Sequence, residues 1–136
     1  MFWLQISESM FLKRDEHFGV RRWRIILASQ YSGVLFDRMR FESGETVPKG
    51  RFIQPRVEAE IAFVMKAPLE GRVTREDVLA ATDYVAPALE ILDTRILRRD
   101  PETGATRKVF DTIADNAANA GIVLGQERHA PEAFDL

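Results

Sequence analysis

Between Val57 and Met65 the side chains alternate. Val57, Ala59, Ile61, Phe63 and Met65 fall on one face, and Glu58, Glu60, Ala62 and Val64 on the other. A period of two predicts a strand. Pro68 and Gly71 close it. Thr74 then opens a T-x-x-D capping pattern with Asp77, and Val78, Leu79 and Ala81 follow, which predicts a short helix. The stretch from Tyr84 to Ile96 is apolar and β-branched and reads as a second strand, with Pro87 at an edge, a bulge or a strand start. Asp100 to Gly104 has turn chemistry, as does Phe41 to Gly50 with its Gly44, Pro48 and Gly50. Asp115 to Ala120 is a short helical or looped piece, and Gly121 to Gly125 a short buried strand between glycines. The elements together predict an α+β fold in which strands dominate.

The first thirty residues do not follow this pattern. Their apolar positions (Phe2, Trp3, Leu4, Met10, Phe11, Leu12, Phe18, Trp23) keep neither period over a long window. A loosely packed arm, a partner-contacting segment and a regular element are all open readings. Residues 1–31 are therefore set apart as a divergent segment, and residues 32–136 as the main domain. The strands near Val57, Tyr84 and Ile122 need partners, and few candidates for them remain in the chain.

Composition narrows the function. The chain has 136 residues, 46% hydrophobic and 29% charged, with a formal net charge of −2. That suits one globular domain with a real core. A nucleic-acid partner would call for a basic surplus, so none is expected. Cysteine is absent, which excludes disulfides, thiolate metal sites and a cysteine nucleophile, and there are only two histidines. No apolar run approaches the 18 residues of a membrane span, and Met1 to Leu4 makes a poor signal peptide. A cytoplasmic protein with no membrane partner is the expectation.

The sharpest chemical feature is the pair Glu58 and Glu60. On a strand, residues i and i+2 share a face, so two carboxylates stand side by side. Their mutual repulsion is relieved by a nearby cation. A third carboxylate, Glu90, interrupts the apolar run from Val85 to Leu92, where a glutamate needs a partner or a metal. Three carboxylates without cysteine or histidine suit a hard ion, Mg2+ or Mn2+. Against this, Glu58 and Glu60 could be the solvated face of an antiparallel strand, and Glu90 could pair with Arg95 or Arg56. A second feature, Asp111 to Asn119, holds two aspartates and two asparagines among small residues. It suits a polar pocket wall in which Asn116 and Asn119 contact substrate, although the same residues are ordinary in caps and turns. Arg56 could clamp a substrate carboxylate or simply be a surface cation. No catalytic triad motif and no glycine-rich phosphate loop is present.

Three segments carry a resemblance: Arg51–Val64 (RFIQPRVEAEIAFV), Thr82–Asp93 (TDYVAPALEILD) and Phe110–Gly125 (FDTIADNAANAGIVLG). They resemble the 2-oxo-hepta-3-ene-1,7-dioate hydratases, in the hydratase and decarboxylase branch of the fumarylacetoacetate hydrolase superfamily. The likeness runs in order from about Ser32 to Leu136. The insert Asp100–Asp111 (DPETGATRKVFD) is more like the hepta-dioate enzymes than the 2-oxopent-4-enoate hydratases. The resemblance implies an incomplete mixed β-roll with short helices, of the superfamily's C-terminal-domain type. It implies Mg2+ (or Mn2+) held by Glu58, Glu60 and Glu90, and a small 2-oxo or 2-hydroxydienoic acid as substrate. It further implies a homo-oligomer or association with a related subunit.

The implied reaction is metal-dependent addition of water to a 2-hydroxy-2,4-dienoate, in the breakdown of aromatic compounds. The implied alternatives are decarboxylation of a 4-oxalocrotonate-type acid, hydration of 2-oxopent-4-enoate, or an inactive fragment that serves only as a folding or interaction module. The acid's C1 carboxylate and C2 oxygen would chelate the metal, which stabilises charge on the enol oxygen. Two departures stand out. The family's Gly-x-Lys-x-Gly-Leu segment, with its active-site lysine, has no match before Ser32. The family's C-terminal half is also missing, so the chain reads as the middle of a hydratase behind an unrelated leader. Asp93, Asp111 and Asp115 are candidate proton carriers by chemistry alone, and no catalytic residue is assigned.

Overall fold

The computed structural model describes residues 9–15, 22–27 and 32–133. Nine elements organise them: β1 (Ser9–Asp15), β2 (Arg22–Leu27), β3 (Ser32–Phe36), β4 (Arg40–Phe41), β5 (Arg56–Met65), α1 (Arg75–Ala81), β6 (Thr82–Leu92), α2 (Val109–Ala114) and β7 (Asn119–Leu124). The expected strand at Val57, the helix after Thr74 and the strand at Tyr84 all form, and the last begins at Thr82 and ends at Leu92. The α1 cap is reciprocal: Thr74 Oγ1 accepts from the Asp77 N–H at 3.2 Å, and the Asp77 carboxylate accepts from the Thr74 N–H at 2.8 Å. Helix α2 had no sequence signal, because its Val109, Phe110 and Ile113 are exposed and leave no buried face to set a period.

The strands form one mixed sheet in the order β3-β2-β1-β5-β6-β7-β4. β5, β6 and β7 pair antiparallel in sequence order, while β1 runs parallel to β5 and β4 parallel to β7. Two pieces of the first thirty residues, Ser9–Asp15 and Arg22–Leu27, are thus strands of the main sheet, and the rest of that segment lies outside the described residues. β1 and β4 also supply the partners that β5 and β7 needed.

The sheet is curled. Its two outer strands, β3 and β4, are joined by only the three-residue 3-10 turn Asp37–Met39. Such a turn spans roughly 6 Å, whereas seven flat strands would set the outer pair about 29 Å apart. The edges must therefore approach each other. Inside the curl lies the core: Leu35, Met39, Ala62, Ala88 and Ile122, with Phe36, Val64 and Leu124 packed against it.

This curl decides which face of β5 is inside. Ala62 is fully buried and Glu60 is 7% exposed, while on the other face Val57 and Ile61 are 60% and 38% exposed and Phe63, further along, is buried. The face bearing the glutamates points inward there, opposite to a solvated-face reading of the carboxylates. The concave side of a tight curl has room for small side chains, and it receives Ala62, Ala86 and Ala88.

Pro87 sits within internal strand β6 rather than at an edge. Its position is tolerated because the β7 ladder ends at Leu124, and the Gly125 N–H donates to the Pro87 carbonyl at 2.7 Å just beyond. Gly125 has to be glycine, since a Cβ there would come within 2.7 Å of Pro87 Cγ.

Candidate metal centre

β5 carries Glu58 and Glu60 on its inner face, and the antiparallel register sets Glu90 of β6 directly opposite Glu58. One carboxylate oxygen from each of the three lies within 4.8 Å of the others. Two oxygens on opposite sides of one Mg2+ are about 4.2 Å apart, so small side-chain adjustments suffice to share an ion. The donor set is all oxygen, which matches a hard cation. Glu58 is open to solvent, whereas Glu60 and Glu90 are buried.

Burial pushes the Glu90 carboxyl above its ordinary range, the Asn119 hydrogen bond pulls it back, and the charge of Glu58 pushes it up again. Like charge and desolvation thus act together on a group that a cation would relieve. Neither expected arginine partner serves it: Asn119 Nδ2 donates to Glu90 Oε1 at 2.5 Å, and Arg95 is engaged elsewhere.

The segment Asp115 to Asn119 frames the site from behind. Asn116, Ala117 and Ala118 have φ of 57°, 55° and 61°, three consecutive left-handed residues, of which none is glycine. Such backbone is strained and persists where surrounding contacts over-determine it. Those contacts are present. Asn116 Oδ1 accepts from the Val34 N–H at 2.7 Å and its Nδ2 donates to the Val34 carbonyl at 2.9 Å, so the side chain meets β3 as a further strand would. Gly33 allows the approach: a Cβ there would lie 3.0 Å from the Asn116 carbonyl oxygen. Arg95 pairs with the buried Asp115 at 2.5 Å and donates to the Asp115 and Asn119 carbonyls.

The residues singled out from sequence fall into two groups. Glu58, Glu60, Glu90 and Asn119 come together at one place. Asn116 lies against β3. Asp93, Asp111 and Asp115 each hold backbone: Asp93 accepts from the Ile53 and Gln54 N–H groups at 2.9 and 2.7 Å, Asp111 from Lys108 N–H at 2.7 Å, and Asp115 from Arg95 N–H at 2.8 Å. Arg56 is exposed at the start of β5. The Arg95–Asp115 clamp went unnoticed in the sequence, where nothing links two residues twenty positions apart. Among the described residues no helix is long and apolar enough to cross a membrane.

Fold and site together define a class: a small α+β unit with a curled mixed sheet and an oxygen-only cluster suited to a hard cation. No family model matches the chain. Known proteins do. The chain is 48% identical to the 2-oxo-hept-4-ene-1,7-dioate hydratase of Escherichia coli over 98% of its own length, so that match reaches into the residues before Ser32. It is 46% identical to the 2-hydroxyhexa-2,4-dienoate hydratase of Comamonas testosteroni over 76% of its length. Among solved structures, the 4-oxalocrotonate decarboxylase of Pseudomonas putida G7 complexed with magnesium and adipate superposes with a TM-score of 0.67 at 34% identity, covering 78% of this chain and 38% of that one. The chain is a homologue of the dienoate hydratases and of their decarboxylase relatives in the same superfamily. It covers 51% of the E. coli enzyme and 38% of the Comamonas enzyme.

Proposed function

We propose that this chain is the metal-binding portion of a hydratase that adds water to a 2-hydroxy-2,4-dienoate, with a seven-carbon dioate as the preferred substrate, in the breakdown of aromatic compounds in the cytoplasm. The observation that carries the reading is the convergence of Glu58, Glu60 and Glu90 on the inner face of the sheet, in a chain 48% identical to a hept-4-ene-1,7-dioate hydratase. The curled sheet supports the superfamily's β-roll as its architecture. Glu58, Glu60 and Glu90 would hold Mg2+ (or Mn2+). The ion would supply positive charge where a 2-oxo acid carries its carboxylate and enol oxygen, a stabilisation of several kcal/mol in such chemistry.

The chain's own residues do the rest. Glu60 and Glu90 keep their carboxylates out of bulk water, where charge acts more strongly. Glu58 borders solvent and marks the side from which a small acid can enter. Asn119 fixes Glu90 and is proposed to line the polar wall beside the substrate, whereas the expected substrate role of Asn116 gives way to its two hydrogen bonds with the Val34 backbone. The carboxylates of Asp93, Asp111 and Asp115 are taken up by backbone groups, and the proton-transfer group is unassigned.

The test has two arms. Millimolar Mg2+ or Mn2+ should raise the melting temperature by mass action, and Glu60→Gln should remove most of that rise. A melting temperature indifferent to both ions rejects the metal site. Hydration is read as loss of the dienoate's ultraviolet absorbance, with Glu90→Gln as control and the five-carbon 2-hydroxypenta-2,4-dienoate as comparison. We expect turnover far below the roughly 1–10³ per second of ordinary enzymes, because positioning from the remaining half of the relatives' length is part of their rate. Decarboxylation of a 4-oxalocrotonate-type acid is the second reading, favoured by the superposition on the magnesium–adipate complex. Evolution of CO2 in place of hydration would select it.

A further inference from the structure

We propose that Asn119 is a positioning residue for the metal ligand Glu90: it takes one carboxylate oxygen and thereby presents the other to the cation. The proposal rests on the metal reading above. It begins with a register anomaly. Along β7, Ile122 and Leu124 face inward with Glu90 and Ala88, so Gly121 and Val123 face outward. By alternation Asn119 would face outward too. It does not, because the β6–β7 register shifts between Ile91, opposite Gly121, and Leu92, opposite Asn119. One extra residue, Ala120, is inserted, and the bulge turns the Asn119 side chain to the inner face.

The backbone before the bulge serves the same end. The three left-handed residues Asn116–Ala118 deliver the chain to Asn119, and Arg95 holds the Asn119 carbonyl with two N–H groups at 3.3 Å each. Strain, bulge and clamp converge on one amide, which is 1% exposed. An ionised Glu90 can only accept, so the amide must offer Nδ2 to it. The hydrogen bond occupies Oε1 and leaves Oε2 as the free ligand atom. Outer partners of this kind set the orientation of metal-binding carboxylates. Asn119 Oδ1, also buried, accepts no hydrogen bond among the described residues, which leaves it available to a water on the ion.

The experiment titrates the full chain with Mn2+ and follows the free-ion electron paramagnetic resonance signal. Asn119→Ala and Asn119→Leu, the second of which keeps the volume, should each weaken Mn2+ binding about 10–100-fold, with metal-free circular dichroism unchanged. Glu90→Gln should weaken it at least as much. Thr74→Ala, which removes the α1 cap, should lower the melting temperature and leave Mn2+ affinity as it was. Asn119 variants that bind Mn2+ like the wild type, while Glu90→Gln does not, overturn the positioning role and leave the metal site standing. If both Asn119 variants lose their fold without Mn2+, Asn119 belongs to the fold and the proposal fails. If the wild type binds no Mn2+, the metal reading fails first and this one with it.

Discussion

Glu90 shows what a single residue contributes. In the unfolded chain its carboxyl titrates near 4.5, and in the folded chain burial and the Glu58 charge hold it higher despite Asn119. Between those two values the folded chain carries the extra proton. Stability from this group is therefore fully present below about pH 4.5 and falls as pH rises through the raised value. The metal-free wild type should lose melting temperature relative to Glu90→Gln as pH climbs from 4.5 towards neutrality, measured by calorimetry on both proteins so that other groups cancel. Mn2+ should reverse the loss, because an ion favours the charged form. A flat difference across that range would contradict the burial of an ionisable Glu90.

At the scale of elements, Asn116 closes the molecule. Its two hydrogen bonds with Val34 fasten the turn before β7 to β3 at the far end of the strand order. Asn116→Ala strands the Val34 N–H and carbonyl, which should cost about 1–3 kcal/mol, read as a lower urea midpoint at unchanged slope. Much at this scale was legible in the sequence. The alternation of Val57–Met65, the Thr74–Asp77 cap and the apolar run before Glu90 report local periods and local hydrogen bonds, and each formed. What escaped was the inward face of β5. Hydrophobic pattern names the more apolar side, whereas the curl gave its concave side to the alanines and the glutamates. The bulge escaped too, because an extra residue in a ladder is defined only by the partner strand.

For the whole molecule, the convex face of β5 and β6 is covered at Phe63, Val85 and Ile91, but a patch of that face is left bare. Val57 and Leu89 are 60% and 43% exposed and share that face with Ile61 and Pro87. Contiguous apolar surface of this kind favours association. Self-association, or pairing with a related subunit, is the expected outcome. Sedimentation velocity at tens of micromolar should show species larger than one chain, and Val57→Lys with Leu89→Lys should shift them towards monomer. A wild-type monomer with a sharp melt would reject the expectation.

The sequence alone determined what depends on neighbours along the chain: strand and helix periods, the cap at Thr74, the carboxylate pair at i and i+2, and an oxygen-only chemistry in a chain without cysteine. Its resemblance to the hydratases pointed to the third carboxylate's partners. Tertiary structure alone decided the rest. It drew Ser9–Asp15 and Arg22–Leu27 into the main sheet, set Glu90 opposite Glu58, gave Asp93, Asp111 and Asp115 to the backbone, and turned Asn119 inward. The physical reason is that register, curvature and burial are properties of strands against strands, and a single strand carries no record of the partner that will fix them.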